Sequence, residues 1–239
     1  MNKQTVLITG ANRGIGFELC KILASQNNFT IVLSSRNEQE GLKKVQELAT
    51  SDSNISFFYL DVSDHNHIKG SILDFQRKFG NIDILVNNAG IYIDSEDLDQ
   101  FPSFFDVTPQ ILRQSFDTNL FGPLLLTQLF LPFFNDNGLI INISSGMGKI
   151  NTTDDRSGHI AYRMSKTSLN TFSKSLSKMR LPKRIKVISM CPGWVSSEMG
   201  GPNAPRTVID GATDIFELIS KKNLLKSGAF YYNFVEQKA

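Results

Sequence analysis

The residues with the clearest chemical potential are Tyr162 and Lys166, which stand four residues apart in the segment YRMSK. Residues at i and i+4 lie on one face of a helix, so a phenol and an ammonium at this spacing can act on the same bound molecule. A free phenol has a pKa of about 10, and a nearby cation favours its ionised form. The pair therefore predicts proton transfer on a small molecule, with a solvated helix face as the alternative.

A glycine-rich segment, TGANRGIG over residues 9–16, predicts a dinucleotide site. Gly10, Gly14 and Gly16 follow a strand-like run and open a helical one. Glycine lets the backbone approach a pyrophosphate held at the positive end of a helix. The spacing is GxxxGxG, whereas the usual dinucleotide motif is GxGxxG, so an ordinary tight turn is the alternative.

Two basic side chains near this turn favour NADP(H) over NAD(H). An acid after the second strand would bind the ribose hydroxyls of NAD, but the segment SSRN at 34–37 has none there. It places Arg36 at that position, and Arg13 lies within the glycine turn. Two guanidinium groups are thus available to a 2′-phosphate, unless both are solvated surface groups.

Short apolar runs alternate with longer segments of helical periodicity. The runs predict strands near 5–9, 29–34, 55–60, 82–87, 139–144 and 185–190, with another near 229–234. Helices are predicted near 14–26, 38–50, 64–79, 109–134, 160–180 and 207–222. This alternation is typical of βαβ units, so we expect an α/β fold with a doubly wound parallel sheet, in a single domain over residues 1–239.

The predicted helix 109–134 carries Gly122 and Pro123 in its interior. Proline lacks an N–H, so the carbonyl of Asn119, four residues earlier, loses its helical partner and a kink is expected. That carbonyl is then free to hold a water that relays protons toward Lys166. The alternative is that the proline simply bends a long helix around the core.

Composition and charge argue against several other functions. The 239 residues include 25 basic and 23 acidic side chains, a net charge of +2, with no long run of either sign. We therefore expect no nucleic-acid surface. Cys20 and Cys191 match no metal-ligand spacing and predict buried reduced thiols and no metal site. Without an 18-residue apolar span, or room for a leader before the first strand, we expect a cytoplasmic protein with no membrane segment.

Five motifs together resemble the short-chain dehydrogenase/reductase family over essentially the whole chain. They are TGANRGIG, NNAG at 87–90, INISS at 141–145, YRMSK and CPGWVSSEMGG at 191–201. The last one resembles in particular the carbonyl-reductase-like and small signalling-reductase-like branches. The resemblance implies a Rossmann-type sheet of about seven strands in three αβα layers. The family often forms homodimers or homotetramers, and either assembly stays open.

The resemblance also implies the site residues. The implied catalytic residues are Asn119, Ser145, Tyr162 and Lys166. The expected cofactor-binding residues are Gly10, Asn12, Arg13, Gly14, Ile15, Gly16, Arg36, Asp61, Val62, Asn88, Ala89, Gly90, Tyr162, Lys166, Pro192, Gly193, Val195 and Ser197. Ser197 stands where the family usually has threonine. The spacing between Ser145 and Tyr162 is a few residues longer than is common, with the surplus in NTTDDRSGH at 151–159, so Ser144 remains an alternative catalytic serine.

These residues predict reversible hydride transfer between NADP(H) and the carbonyl or alcohol of a small-molecule substrate. Tyr162 is expected to act as general acid/base, made more acidic by Lys166 and the cofactor, while Ser145 hydrogen-bonds the reacting oxygen. Six side chains predict an apolar substrate pocket, with core packing or a helix contact between subunits as the alternatives: Tyr92, Phe101, Phe104, Phe105, Trp194 and Met199. The alternative function is an NADPH-sensing regulatory or signalling protein of the same fold with little turnover.

Overall fold

The computed structural model describes residues 3–49, 54–94, 104–150 and 158–237. Its strands are β1 (Gln4–Ile8), β2 (Phe29–Ser35), β3 (Ile55–Tyr59), β4 (Ile82–Asn87), β5 (Phe134–Ile143), β6 (Lys186–Cys191), β7 (Phe230–Tyr232) and β8 (Val235–Gln237). Its helices are α1 (Gly14–Ala24), α2 (Glu38–Leu48), α3 (His65–Phe79), α4 (Pro109–Phe116), α5 (Gly122–Phe130), α6 (Ile160–Lys178) and α7 (Val208–Ser220).

The strands form one sheet in the order β3-β2-β1-β4-β5-β6-β7-β8. The first seven strands pair in parallel, and β8 pairs antiparallel to β7. The chain runs outward from β1 to β3 and then returns to place β4 on the other side of β1. This confirms the predicted doubly wound α/β fold, and it puts the reversal of strand order between β1 and β4, where such sheets bind ligands.

Each face of the sheet carries its own apolar core. Along β1, Val6 and Ile8 belong to one cluster, and Leu7, between them, belongs to the other. All three are fully buried. Because successive side chains of a strand point to opposite faces, a strand covered on both sides carries mostly apolar residues. This explains the continuous apolar runs in the sequence.

Two segments differ from the sequence-based prediction. Phe134, predicted as the end of a helix, begins β5, because Pro132 lacks the N–H needed to continue the helix and the chain passes through a short 3₁₀ turn. The run at 229–234 is not one strand but the start of a hairpin. Asn233 and Phe234 have φ angles of 47° and 60° and turn the chain back as β8, so the described residues form a sheet of eight strands, one more than the seven or so that the resemblance implies.

The predicted irregularity before Pro123 is a π-helical turn over Asp117–Phe121, between α4 and α5. The N–H of Gly122 donates to the carbonyl of Asp117, five residues earlier. A Cβ at Gly122 would overlap the carbonyl oxygen of Val62, so glycine is needed for this close packing. Single π-helical turns are frequent at functional sites.

The composition led to predictions about the two cysteines, membrane-spanning segments and metal sites. Cys20 and Cys191 are buried free thiols. Within the described ranges, no helix is long and apolar enough to cross a bilayer. The same ranges contain no group of three or more His, Cys, Asp and Glu side chains that could hold a metal ion.

Candidate active site

Tyr162 and Lys166 lie in the first two turns of α6 with their side chains on one inward face. The Lys166 ammonium is 5.6 Å from the centroid of the Tyr162 ring and donates to the carbonyl oxygen of Ile143 at 2.9 Å. Lys166 is only 4% exposed. Burial lowers the pKa of its side chain to about 8. A buried amine with so low a pKa, on the same helix face as a phenol, is a candidate for proton chemistry.

Ser145, and not Ser144, is the serine beside Tyr162. The hydroxyl of Ser145 is hydrogen-bonded to the side chain of Tyr162. Ser144 is buried, and its hydroxyl lies 3.5 Å from the carbonyl oxygen of Lys166, to which it donates. The geometry therefore favours Ser145 over Ser144 as the serine that could act together with the phenol on one bound group.

The electrostatic surroundings of Tyr162 differ from the sequence-based expectation. Burial raises the pKa of Tyr162, the thiol of Cys191 adds to this rise, and the hydrogen bond from Ser145 opposes it. We expected Lys166 to make the phenol more acidic. In the protein by itself the cost of desolvating a phenolate is the larger effect, so the phenol stays protonated at neutral pH.

Asn119 lies in the π-helical turn and is fully buried. Its side-chain oxygen accepts from the N–H of Ile91 at 2.8 Å, and its side-chain nitrogen donates to the carbonyl of Ile91 at 2.9 Å and to the Ser165 hydroxyl at 3.0 Å. A Cβ built on Gly90 would lie 3.3 Å from the Asn119 side-chain oxygen and 3.4 Å from the Lys166 nitrogen. The amide is thus fixed beside Lys166, while the water relay from its carbonyl stays a prediction.

Two residues that sequence reasoning missed hold the site together. The Cys191 sulfur accepts from the N–H of Gly146 at 3.0 Å and from that of Gly193 at 3.3 Å. These bonds tie the serine loop, which is the segment 144–148 after β5, to the segment after β6. The Asp94 carboxylate accepts from the N–H groups of Ala161 and Tyr162 at the start of α6. Only the position of Asp94, just beyond a strand end, was a signal for it in the sequence.

The serine loop packs directly against α6 at Gly148. A Cβ there would lie 2.8 Å from the carbonyl carbon of Lys166 and 2.9 Å from its Cβ. Backbone atoms cannot move aside cheaply, so the loop and helix would have to separate. Glycine at this position sets the distance between the serine and the phenol.

Replacing Gly148 with alanine is therefore expected to destabilise the protein by about 1–3 kcal/mol through overpacking. Gly70 is the matched control, because it lies in α3, is exposed and has no atom near a built Cβ. Gly70→Ala should stabilise by about 0.5–1 kcal/mol, since alanine suits a helix interior better. Chemical denaturation measures both changes, and equal behaviour of the two variants would contradict the close packing at Gly148.

The glycine turn and the segment after β4 are in direct contact. A Cβ at Gly10, where φ is +63°, would lie 2.8 Å from the Ala89 Cα, and a Cβ at Gly16 would lie 2.6 Å from the Asn88 side-chain nitrogen. That nitrogen donates to the carbonyls of Thr9 at 2.8 Å and Gly10 at 3.1 Å. The predicted residues of the two motifs are thus brought together at the carboxyl ends of β1 and β4.

The start of α1 is suited to a phosphate group. Gly14 has a φ of +58°, and a Cβ there would meet no atom within 4 Å. Arg13, in the N-cap position, makes no side-chain bond to the helix, and the first turn carries no acid. The N–H groups and the positive end of the helix dipole are therefore available to an anion. The residues present fit the pyrophosphate of a dinucleotide.

The two predicted phosphate-binding arginines differ in their surroundings. Arg13 forms an ion pair with Glu198 at 2.6 Å, in which both side chains are largely exposed. Arg36 is exposed in the turn between β2 and α2. The structure thus directs Arg13 across to the segment after β6 and does not bring the two guanidinium groups together on a shared partner. An exposed ion pair contributes little, so a 2′-phosphate can displace Glu198.

The remaining predicted cofactor residues surround the same end of the sheet. Asp61 follows β3 and its carboxylate accepts from the N–H and hydroxyl of Ser63 at 2.9 and 2.7 Å, while Val62 is buried. The side-chain nitrogen of Asn12 donates to Glu40 at 3.3 Å. These bonds leave one oxygen of the Asp61 carboxylate unused by Ser63.

The segment after β6 folds back over the glycine turn. A Cβ at Gly211 in α7 would lie 3.3 Å from side-chain atoms of Ile15, Pro192 and Val195, which places these three residues around one point. The Ser197 hydroxyl accepts from the N–H of Gly200 at 3.1 Å. The same hydroxyl donates to the carbonyl oxygen of Val195 at 3.4 Å, so both of its hydrogen bonds serve the local turn.

The predicted apolar pocket is described only in part. Phe101 and the side chain of Phe104 lie outside the described residues. Tyr92 packs edge-on against Tyr162 with ring centroids 5.4 Å apart. Trp194 is 50% exposed and Phe105 is 91% exposed. Of the four described side chains, Tyr92 is the one in contact with the phenol.

Several known proteins are similar to this chain in sequence and in architecture. Residues 4–207 match the family model described as short chain dehydrogenase. The chain is 30% identical to (+)-neomenthol dehydrogenase from Arabidopsis thaliana, over 87% of this chain and 88% of that protein. The fold is similar to that of the carbonyl reductase Sniffer of D. melanogaster, with a TM-score of 0.84, 30% identity and 98% of both chains covered. It is also similar to the NADPH-bound carbonyl reductase from chicken fatty liver, with a TM-score of 0.83, 29% identity and 96% of both chains covered.

Proposed function

Since the chain belongs to the short-chain dehydrogenase family and is an oxidoreductase of that family, we propose that it is an NADP(H)-dependent reductase of the carbonyl-reductase type. The observation that carries this proposal is the contact of Tyr162 with Ser145 and with Lys166 at the carboxyl edge of the sheet. The residues at the glycine turn fit a dinucleotide, and two of the similar proteins are carbonyl reductases, one of them with NADPH bound.

In the proposed mechanism the protein holds the reacting oxygen and manages its proton. NADPH, held at the glycine turn, would supply the hydride. Tyr162 donates its proton to the carbonyl oxygen as the general acid, and its raised pKa keeps that proton in place until it is needed. The hydroxyl of Ser145 donates to the same oxygen as negative charge develops on it. Lys166 holds the ribose hydroxyls and adds positive charge beside the phenol.

The aromatic surroundings favour a small apolar ketone or aldehyde. Tyr92 lies against the phenol, and Trp194 and Met199 are 50% and 41% exposed in the segment after β6. A tyrosine ring against the phenol, together with accessible apolar side chains in the segment after β6, suits a substrate whose body is apolar and whose carbonyl is the main polar group. We propose that residues 1–239 act as one domain in this reaction.

The function can be tested by adding a panel of aliphatic and aromatic carbonyl compounds to the protein with NADPH. Oxidation of NADPH is followed by the loss of its absorbance. Turnover that depends on both NADPH and a carbonyl compound supports the proposed reductase. Tight NADPH binding without oxidation for any compound would instead identify an NADPH-sensing regulator. Trp194, the single tryptophan of the chain, adjoins Pro192 and Gly193, so its fluorescence reports cofactor binding independently of turnover.

The cofactor preference gives a separate prediction. Replacing Arg13 and Arg36 together with alanine should weaken NADPH binding by about 10²–10⁴-fold, because hydrogen bonds to a charged group contribute about 1.5–3 kcal/mol each. NADH binding should change little, since NADH has no 2′-phosphate. Titration of Trp194 fluorescence with each cofactor measures the ratio.

Arg77→Ala is the control for that pair, because Arg77 is an exposed arginine on α3 whose partner is Asp74. It should leave both affinities unchanged. An unaltered NADPH to NADH ratio in the Arg13/Arg36 double variant would contradict a 2′-phosphate site built by these two residues.

A further inference from the structure

We propose that Asp94 is a positioning residue for Tyr162, and this proposal rests on the catalytic role proposed for Tyr162. Asp94 lies four residues beyond Gly90 and is fully buried. Its carboxylate accepts from the N–H of Ala161 at 2.7 Å and from the N–H of Tyr162 at 3.0 Å. The carboxylate thus holds the backbone of the residue whose side chain carries the chemistry.

The cap on α6 is unusual because it comes from a distant part of the chain. Helices are normally capped by a Ser, Thr, Asp or Asn immediately before their first turn. In α6 that position is His159, which has a left-handed φ of 56° and makes no side-chain capping bond. Asp94 supplies the missing acceptor from 67 residues earlier. The start of α6 therefore depends on the segment after β4.

Residues 91–94 form what we call the brace, which is fastened along its length. Ile91 is bonded through both its N–H and its carbonyl to the Asn119 side chain. Tyr92 packs edge-on against the Tyr162 ring and is hydrogen-bonded through its hydroxyl to the His159 ring. The brace begins directly after Gly90, which lies beside Lys166, so it links the cofactor end of the site to the orientation of the phenol.

The charge of Asp94 also acts on Tyr162. As an anion close to the phenol, Asp94 raises the pKa of Tyr162, in the same direction as burial and as Cys191 and Tyr92. Lys166 is the cation near the ring. Neutralising Asp94 without removing its shape should therefore favour the phenolate.

The charge state of Asp94 is set by opposing effects. Burial raises the pKa of its carboxyl, whereas the N–H groups of Tyr162 and Ala161 and the nearby His159 lower it. With two backbone donors aimed at it, the anion is the form that caps the helix.

Two variants test the proposal. Asp94→Ala removes the cap, and we expect kcat to fall by at least about tenfold while NADPH affinity from Trp194 fluorescence stays the same, because a small misplacement of a reacting group is costly. Asp94→Asn keeps one acceptor oxygen and removes the charge. It should move the rising limb of the pH profile for alcohol oxidation to lower pH by about 0.5–1 unit. A residue that only stabilised the fold would not move that limb.

Asp64→Ala is the matched control, because Asp64 caps α3 by accepting from the N–H groups of Asn66 and His67. It should leave kcat and the pH profile unchanged. Wild-type kcat together with an unshifted pH limb in both Asp94 variants would overturn the proposal, as would an equal loss of kcat in Asp64→Ala.

Hydrogen exchange separates this proposal from the proposed function. In Asp94→Ala, the amides at the start of α6 should exchange faster than in the wild type, whether or not any carbonyl compound is reduced. If the variant exchanges faster but the wild type turns over no substrate, the proposed reductase function is wrong. The role of Asp94 as the cap of α6 is still supported in that case. Unchanged exchange at residues 160–162 would overturn the positioning role even in an active reductase.

Discussion

Tyr162→Phe is expected to reduce kcat by about 10²–10⁴-fold, the range usually found when a general acid is lost. The substitution removes one oxygen and keeps the ring that packs against Tyr92. The proton for the carbonyl oxygen would then have to come from water, while Ser145 still donates its hydrogen bond. Steady-state kinetics with saturating NADPH measure the change.

The same variant should bind NADPH with nearly wild-type affinity, as measured by Trp194 fluorescence. The glycine turn and the segment after β6, which we propose as the main binding elements, do not involve the phenol. Tyr59→Phe is the control for loss of a hydroxyl, because Tyr59 is 42% exposed at the end of β3. If Tyr162→Phe kept a tenth or more of the wild-type kcat, the phenol would not be the acid.

Much of the fold was predictable because strands buried on both faces leave a strong signal. The runs at 5–9 and 82–87 match β1 and β4 within one residue. The end of the long helix was not predictable in the same way, since Phe134 suits either a buried helix or a buried strand. Its assignment to β5 depends on pairing with Ile82, which is 52 residues away in the chain.

In the candidate site too, features formed by nearby residues could be predicted, whereas contacts between distant segments could not. Tyr162 and Lys166 were found because their spacing has a meaning on a single helix, and the glycine turn because its residues are contiguous. The cap from Asp94 to the start of α6 leaves no such pattern, since the two segments meet only in the folded protein. Likewise, the sequence alone led us to expect that Lys166 would have the larger effect on the pKa of Tyr162. In the structure the phenol is buried, and desolvation is the larger effect on that pKa.

Burial also gives Lys166 opposite effects on function and on stability. The pKa of its side chain falls from 10.5 to about 8. Between those two values the unfolded chain binds more protons than the folded one, so stability rises with pH across this interval. Below about pH 8 the folded protein must bury a charged ammonium, which costs about 3 kcal/mol.

Lys166→Met should therefore stabilise the protein at pH 7 by about 2 kcal/mol, once about 1 kcal/mol is subtracted for the lost hydrogen bond to the Ile143 carbonyl. The gain should shrink above pH 8, reach zero near pH 10 and become a small loss well above pH 10.5, where the wild-type amine is neutral in both states and only the lost hydrogen bond counts. Chemical denaturation at several pH values measures this dependence. Lys178→Met, on the exposed side of the same helix, should show no such gain.

The same substitution should reduce kcat by at least about 100-fold, because it removes the cation that favours the phenolate and that we propose holds the ribose. A more stable protein with little activity cannot be explained by misfolding, so the two measurements together isolate the role of the charge. Loss of stability at pH 7 would mean that the ammonium is well solvated or paired in the folded state. In that case the lowered pKa, and the proton chemistry that we base on it, would both be wrong.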